Sequence, residues 1–284
     1  MRQEEGKQMK RHELKDHIAG AIYGFAVGDS VGATTEFMSK EQIHDQYGEV
    51  TKQLGGGWLD VKPGEVTDDT QMMMCVMEAL MKYPDDIAMF QEECMEQFVK
   101  WLGTNPKDVG NTCRAGIEYY KLTGSFISKD EDLQGNGSLM RYLPCAILGL
   151  EEFNIAQGEL THNSEVCASL IQMTSEALCE SLKGEYPSRN IKCLLAPSGR
   201  VQNTFNNAMF HASKGDFNHT LREAVNNGGD ADTIAAIACS LAGARVGLSG
   251  INPKLICPLP IEVKKFFGKF IDFSLDFLFT NRID

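Results

Sequence analysis

Glycines stand at 20, 24, 28 and 32, one every four residues, inside a stretch from His12 to Gly32 in which Ile18, Ile22 and Phe25 recur at helical spacing. Four glycines cost a helix roughly 3 to 4 kcal/mol in propensity, so this one needs the close approach of another helix to return that energy. It therefore belongs in the middle of the fold. A second stretch, Ile-Ala-Ala-Ile-Ala-Cys-Ser-Leu-Ala-Gly-Ala from Ile234 to Ala244, is helical by propensity and has almost no bulk on any face, which describes a helix buried in a tight bundle. Asp29 falls in the apolar sector of the first helix and must find donors there. It is either a structural hydrogen-bond hub or a residue supporting a metal from behind.

The small-residue helix opens with Gly228-Gly229-Asp230-Ala231-Asp232-Thr233. Two carboxylates at such a place repel each other and lose hydration, so they need a cation, a proton or several backbone donors. A divalent metal with oxygen ligands is one answer; a plain N-cap made by Asp230 or Asp232 is another. A second acidic pair, Thr67-Asp68-Asp69-Thr70, also opens a helix, with Thr67 as N-cap and Met73, Val76, Met77 and Leu80 on its apolar face. Two such pairs favour the metal.

The remaining chain continues the helical pattern. Amphipathic stretches cover Ile87 to Leu102, Thr112 to Leu122, Asn154 to Leu160, Ser164 to Lys183, Val201 to Ser213, Asn218 to Asn226 and Ile261 to Phe279. Residues 46–66 and 247–260 read as irregular, and Gly184 to Pro197, with Arg189 and Asn190, reads as a loop insertion. No strand-length alternation persists, so the class is all-α, with residues 1–284 forming one domain and residues 1–11 a flexible segment. Polar loops place Glu36, Asp108, Asn111 and His162 where a ligand could be met, and the turn Gly135-Asn136-Gly137-Ser138 has the exposed N–H groups of a phosphate site.

A formal net charge of -12 argues against nucleic-acid and membrane-surface partners. The nine cysteines include no Cys-x-x-Cys pair and read as reduced core thiols rather than disulfides or a zinc site. Met1 to Asp16 alternates charges without an apolar core, and no apolar run reaches membrane-spanning length. These features predict a cytoplasmic protein.

Six motifs together resemble the ADP-ribosylglycohydrolase family, which includes dinitrogenase reductase-activating glycohydrolases and vertebrate ADP-ribosylhydrolases. In order they are Gly24-x3-Gly28-Asp29-x2-Gly32-x3-Glu36, Thr67-Asp68-Asp69-Thr70, Pro106-x-Asp108-x-Gly110-Asn111-Thr112, Gly135-Asn136-Gly137-Ser138-x-Met140-Arg141, Thr161-His162 and Gly228-Gly229-Asp230-x-Asp232-Thr233. The resemblance implies an orthogonal helical bundle with two Mg2+ or Mn2+ ions in a central cleft, held by Thr67, Asp68, Asp69, Asp230, Asp232 and Thr233. It implies Glu36 as general acid/base with Asp108 as a second candidate. ADP-ribose would then lie against Asn111, Gly135, Asn136, Gly137, Ser138, Met140 and His162, with Asp29 behind the metals.

The activity implied is metal-assisted removal of ADP-ribose from a modified protein side chain, arginine foremost, by a monomer that releases ADP-ribose. A non-catalytic ADP-ribose-binding or crystallin-like protein, and a hydrolase of small ADP-ribosyl compounds, share the same residues. The sequence departs from the family at Asn163, where a proline is frequent, at Gln134 and Arg200, where aromatic residues are frequent, and at Cys239, where glycine is. None of these is a metal ligand; they bear on adenine stacking and on the choice of linkage.

Overall fold

The computed structural model describes residues 9–188 and 191–280. Residues 1–8 of the expected flexible segment and Arg189 and Asn190 of the expected insertion lie outside the described residues. The described chain is helical, in the order α1 (Arg11–Gly32), α2 (Lys40–Tyr47), α3 (Asp68–Lys82), α4 (Ile87–Leu102), α5 (Asn111–Thr123), a 3-10 turn (Asn136–Arg141), α6 (Leu143–Leu148), α7 (Glu151–Glu159), α8 (Glu165–Leu182), α9 (Val201–Ala212), α10 (Phe217–Val225), α11 (Ala231–Val246), a 3-10 turn (Leu248–Gly250), α12 (Pro253–Ile256) and α13 (Ile261–Thr280). Among the described residues there is no strand, only isolated bridges at Gly56/Val61 and Gly135/Arg200.

The glycine stripe of α1 faces α11, and the two run antiparallel with their backbones in contact. A Cβ on Gly20 would lie 2.2 Å from the Gly243 carbonyl oxygen, one on Gly24 2.3 Å from that of Cys239, and one on Gly28 2.2 Å from that of Ala235. On Gly32 it would meet the Asp232 Cα at 2.5 Å. The propensity lost in α1 is thus offset by dispersion contact along the whole pair, which larger side chains would prevent. Both helices are buried over most of their length, and Ile18, Ile22 and Phe25 are fully so. Because the helices are antiparallel, the C-terminal end of α1 and the N-terminal end of α11 lie at the same end of the pair.

Local signals set the other helix ends. Asp86, Ser164 and Asp216 accept from the N–H groups of Met89, Cys167 and His219, capping α4, α8 and α10. Gly124 and Gly149, both left-handed, close α5 and α6. Met73 and Met77 fill the core, as do Phe267 and Phe270 of α13, and Phe267 meets Tyr23 of α1 edge-on at 5.4 Å.

The structure corrects three boundaries. Residues 46 and 47 are the end of α2, which has one buried residue, Ile43, and so gives no apolar period; its signature is the capping box between Ser39 and Gln42. The stretch 247–260 holds a 3-10 turn and the short α12. The chain is already helical at Arg11, whose guanidinium pairs with Asp276. All nine cysteines are free, and Cys94, Cys113, Cys145, Cys167 and Cys239 are buried. Among the described residues no helix is long and apolar enough to cross a membrane.

Candidate functional site

The end of the α1/α11 pair is built by three backbone segments that only glycine lets meet. Leaving α1, the chain turns so that Phe37 N–H donates to the Gly229 carbonyl at 2.6 Å and Gly229 N–H to the Met38 carbonyl at 2.9 Å. Gly228 and Gly229 have φ of 71° and 66°, and a Cβ on either would lie 2.2 Å from the Met38 oxygen or 2.1 Å from the Pro197 oxygen. This brings Glu36 over the start of α11, beside Asp230 and Asp232. Asp230 occupies the N-cap position of α11 without making a side-chain cap, so its carboxylate is left for other partners.

Asp29 fixes the second acidic pair. Fully buried, it accepts from the Thr67 N–H and hydroxyl, at 3.1 and 2.8 Å, and from the Thr70 N–H and hydroxyl. That hub pins the first turn of α3 against α1. Asp69 Oδ1 then accepts the Thr233 hydroxyl at 3.2 Å, while Asp232 Oδ1 accepts the Thr233 N–H at 2.8 Å. From a third side Asn136, held to the Gly199 carbonyl by its own N–H at 2.9 Å, donates its side-chain amide to Asp230 Oδ2.

Glu36, Asp68, Asp69, Asp108, Asp230 and Asp232 all line one cleft of ≈ 450 Å³. Glu36, Asp230 and Asp232 each offer an oxygen within 4.8 Å of the others. Burial pushes every one of these groups upward, and repulsion between carboxylates adds to it at Glu36, Asp68, Asp69, Asp230 and Asp232. Asp68 rises to about 8, first from burial and then from Asp108, while Asp69 and Asp232 rise well above the ordinary carboxylate value, again from burial first. Glu36 also rises to about 8 through burial, held back by the Trp58 indole, which donates to Glu36 Oε2 at 2.6 Å. Asp69 Oδ2 is buried with no hydrogen-bond partner. An oxygen-only set of this kind, with an orphaned oxygen among its members, fits hard divalent cations.

Asn111, Gly135, Asn136, Gly137, Met140, His162 and Thr233 line the same cleft. Two expected site residues do not face it. The Thr67 hydroxyl is turned to Asp29, and the fully buried Ser138 hydroxyl finds no partner. His162 is neutral, pushed down to about 3 by burial and by Arg141, with Nδ1 bonded to the Thr161 hydroxyl at 2.8 Å. Its ring packs on Gly137, where a Cβ would fall 2.8 Å from Cε1.

Three further features surround the site. Arg141 is fully buried and spends its guanidinium on the Gln157 side chain and carbonyl, the Thr161 hydroxyl and the Phe98 face rather than on a carboxylate. The run Gly55-Gly56-Gly57, all at positive φ, delivers Trp58 to Glu36. Its sequence signal was an aromatic residue directly after a glycine turn. Finally, the departures at Gln134 and Arg200 touch each other, Arg200 Nη2 donating to Gln134 Oε1 at 3.3 Å across the Gly135/Arg200 bridge.

Comparison with known proteins agrees with the helical fold. The family model described as ADP-ribosylglycohydrolase matches residues 10–198 and 173–270. An ADP-ribosyl-[dinitrogen reductase] glycohydrolase from Rhodospirillum rubrum is 35% identical, over 91% of this chain and 95% of that protein. An ADP-ribosylarginine hydrolase, Tri1, from Serratia proteamaculans is 28% identical over 84% of this chain and 74% of its own. A solved structure titled ADP-ribosylglycohydrolase-related protein complex superposes with a TM-score of 0.80 at 26% identity, covering 94% of this chain and 98% of that one. With the helical fold and the acidic cleft in place, the chain belongs to the ADP-ribosylglycohydrolase family.

Proposed function

We propose that the protein is a metal-dependent hydrolase that removes ADP-ribose from modified arginine side chains of a protein substrate. The observation that carries this reading is the convergence of Asp68, Asp69, Asp230 and Asp232 with Glu36 on one cleft. Relatives named for the hydrolysis of ADP-ribosyl-dinitrogen reductase and of ADP-ribosylarginine support it. Asp68, Asp69, Asp230, Asp232 and Thr233 would hold two Mg2+ or Mn2+ ions, with Thr67 and Asp29 fixing the α3 end of the set. Bound there, the cations would orient the ribose hydroxyls and lower the pKa of a water held beside C1″.

The chain's own residues then do the following. The Gly135 and Gly137 N–H groups with Asn111 orient the diphosphate, Asn136 being held to Gly199 and Asp230, and His162, neutral and packed on that turn, walls the ribose side. Water attacks C1″; the bond from water oxygen to C1″ forms as the bond from C1″ to the guanidino nitrogen breaks. Glu36 takes the proton of the attacking water and returns one to the departing nitrogen, with Asp108 the alternative base. In the metal-free chain burial raises its carboxyl to about 8.

We place residues 1–284 in one domain, monomeric, in the reducing cytoplasm that nine free cysteines suit. The test is a linkage panel of arginine-, serine- and cysteine-ADP-ribosylated peptides plus a small ADP-ribosyl ester, each with Mg2+, Mn2+ or EDTA. The expected result is release of ADP-ribose from the arginine peptide, lost with EDTA. Tight binding of ADP-ribose without cleavage of any member overturns the enzyme reading.

A further inference from the structure

A second hollow opens beside the acidic cleft and shares Glu36, Phe37 and Trp58 with it. It is the larger of the two at ≈ 820 Å³, and its far wall is the outer face of α2, with Gln42, Asp45, Gln46 and Tyr47. The two aromatic rings at the shared edge are left in water: Phe37 is 65% exposed and Trp58 51%, their centroids 5.3 Å apart. Phe37 also holds a φ of 61°, which a bulky residue adopts only under compulsion, here by the paired hydrogen bonds to Gly229 and from it. The fold thus keeps a large apolar side chain at the lip of the cleft, in contact with the Trp58 ring and otherwise mostly in water. No lysine or arginine lines the hollow, whereas Glu36 and the exposed Asp45 do.

Resting on the reading above, we infer that this hollow receives the polypeptide that carries the modified arginine, and that it favours a lysine or arginine next to that residue. The modified side chain crosses the lip over the exposed Phe37 and Trp58 rings, whose outer faces suit a guanidinium, and the neighbouring cationic side chain reaches Asp45. Continuity with the cleft and the sign of its charges are the two arguments. Gln42 accepts the Ser39 N–H at 2.7 Å and Gln46 donates to the Tyr47 hydroxyl at 2.8 Å, which leaves the Gln42 amide N–H and the Gln46 carbonyl oxygen for the peptide backbone.

The test uses the full chain loaded with Mg2+ or Mn2+ and three substrates: ADP-ribosylarginine as the free amino acid, and ADP-ribosylated arginine peptides flanked by lysines or by glutamates. The unaltered protein is expected to prefer the lysine peptide. Asp45→Lys, and Asp45→Lys combined with Gln46→Lys, should cut that preference by about threefold to tenfold, chiefly through KM, as expected for exposed charges. Both variants should hydrolyse free ADP-ribosylarginine at the original rate, which also shows that they fold. Equal rates on the two peptides, or an Asp45→Lys preference that does not change, overturn the docking inference and leave the activity standing. Failure to cleave all three substrates overturns the activity and the docking with it.

Discussion

The hydroxyl of Thr233 donates to Asp69 Oδ1 at 3.2 Å across 164 residues of sequence. This bond joins the mouth of α11 to the first turn of α3, so the two acidic pairs form one cluster even before a cation is considered. A hydroxyl shared between carboxylates that repel each other is a positioning device: it fixes which oxygen of Asp69 is spent and which, Oδ2, stays open.

Thr233→Val removes that bond, and with it a hydroxyl proposed to hold the cations, while preserving shape. Loss of such a supporting contact lowers metal affinity by about 10- to 100-fold. Titration of Mn2+ into the metal-free protein, followed by calorimetry, measures it. Asp232→Asn and Asp230→Ala should go further and abolish ADP-ribose release at any metal concentration tested; unchanged turnover in either would remove the metal centre from the argument.

The α1/α11 contact gives a second prediction, on stability. Gly28→Ala places a methyl 2.2 Å from the Ala235 oxygen, a backbone atom that cannot move aside alone. Overpacking of this severity costs about 3 kcal/mol or more. Gly268→Ala, in α13, meets nothing within 4 Å and should stabilise by about 0.5 to 1 kcal/mol, since alanine is the better helix former. Urea midpoints of the two variants should therefore move in opposite directions.

Trp58→Phe keeps a ring at the lip of the cleft but removes the donor to Glu36 Oε2. That bond favours the ionised carboxylate and holds the Glu36 pKa down, so its loss raises it further. The acid limb of the kcat profile should then shift to higher pH, with a fall of about tenfold in kcat at neutrality if Glu36 takes a proton from water. An unshifted limb would assign that limb to another group, Asp108 first.

Metal binding and pH are linked with a definite sign. Without metal, Asp68 is raised from 3.8 to about 8 in the fold, so the folded state holds a proton that the unfolded chain has lost. Its contribution to stability is fully present below pH 3.8 and is lost as pH rises through about 8. The buried His211, pushed from 6.5 down to about 4, works oppositely, but only below pH 6.5. Between pH 6.5 and 8 the metal-free protein should thus become less stable with rising pH. Added Mg2+ should reverse the loss, with protons released on binding. Melting temperatures across this window, with and without EDTA, test both.

How much of this was legible in the sequence depends on range. The spacing of four in α1 announced a close helix contact, because a glycine stripe has no other use in a helix; the partner was not announced, since α11 is small on every face and so carries no directional pattern. The acidic pairs were legible as helix starts, yet that they meet is a property of Asp29 and Thr233, whose bonds span 38 to 164 residues. Ser138 lies in a turn of which Gly135, Asn136, Gly137 and Met140 line the cleft while Ser138, Leu139 and Arg141 are buried away from it, and a turn has no period from which to read that division. Trp58 was visible only as an aromatic residue after glycines; its bond to Glu36 depends on how Gly57 seats against the Ala33 carbonyl.

Backbone contact along α1 and α11 leaves the pair no intermediate positions. Sliding one helix past the other by a residue would mean a displacement of about 1.5 Å and a rotation of about 100°, which would drive Cβ atoms into carbonyls along the full length. The spacing between Glu36 and the α11 aspartates is therefore inherited from an interlock that natural variation can hardly retune. Diversity in what such an enzyme accepts must come from the surrounding rim, where the side chains of Phe37, Trp58, Gln134 and Arg200 lie outside the contact between the two helices.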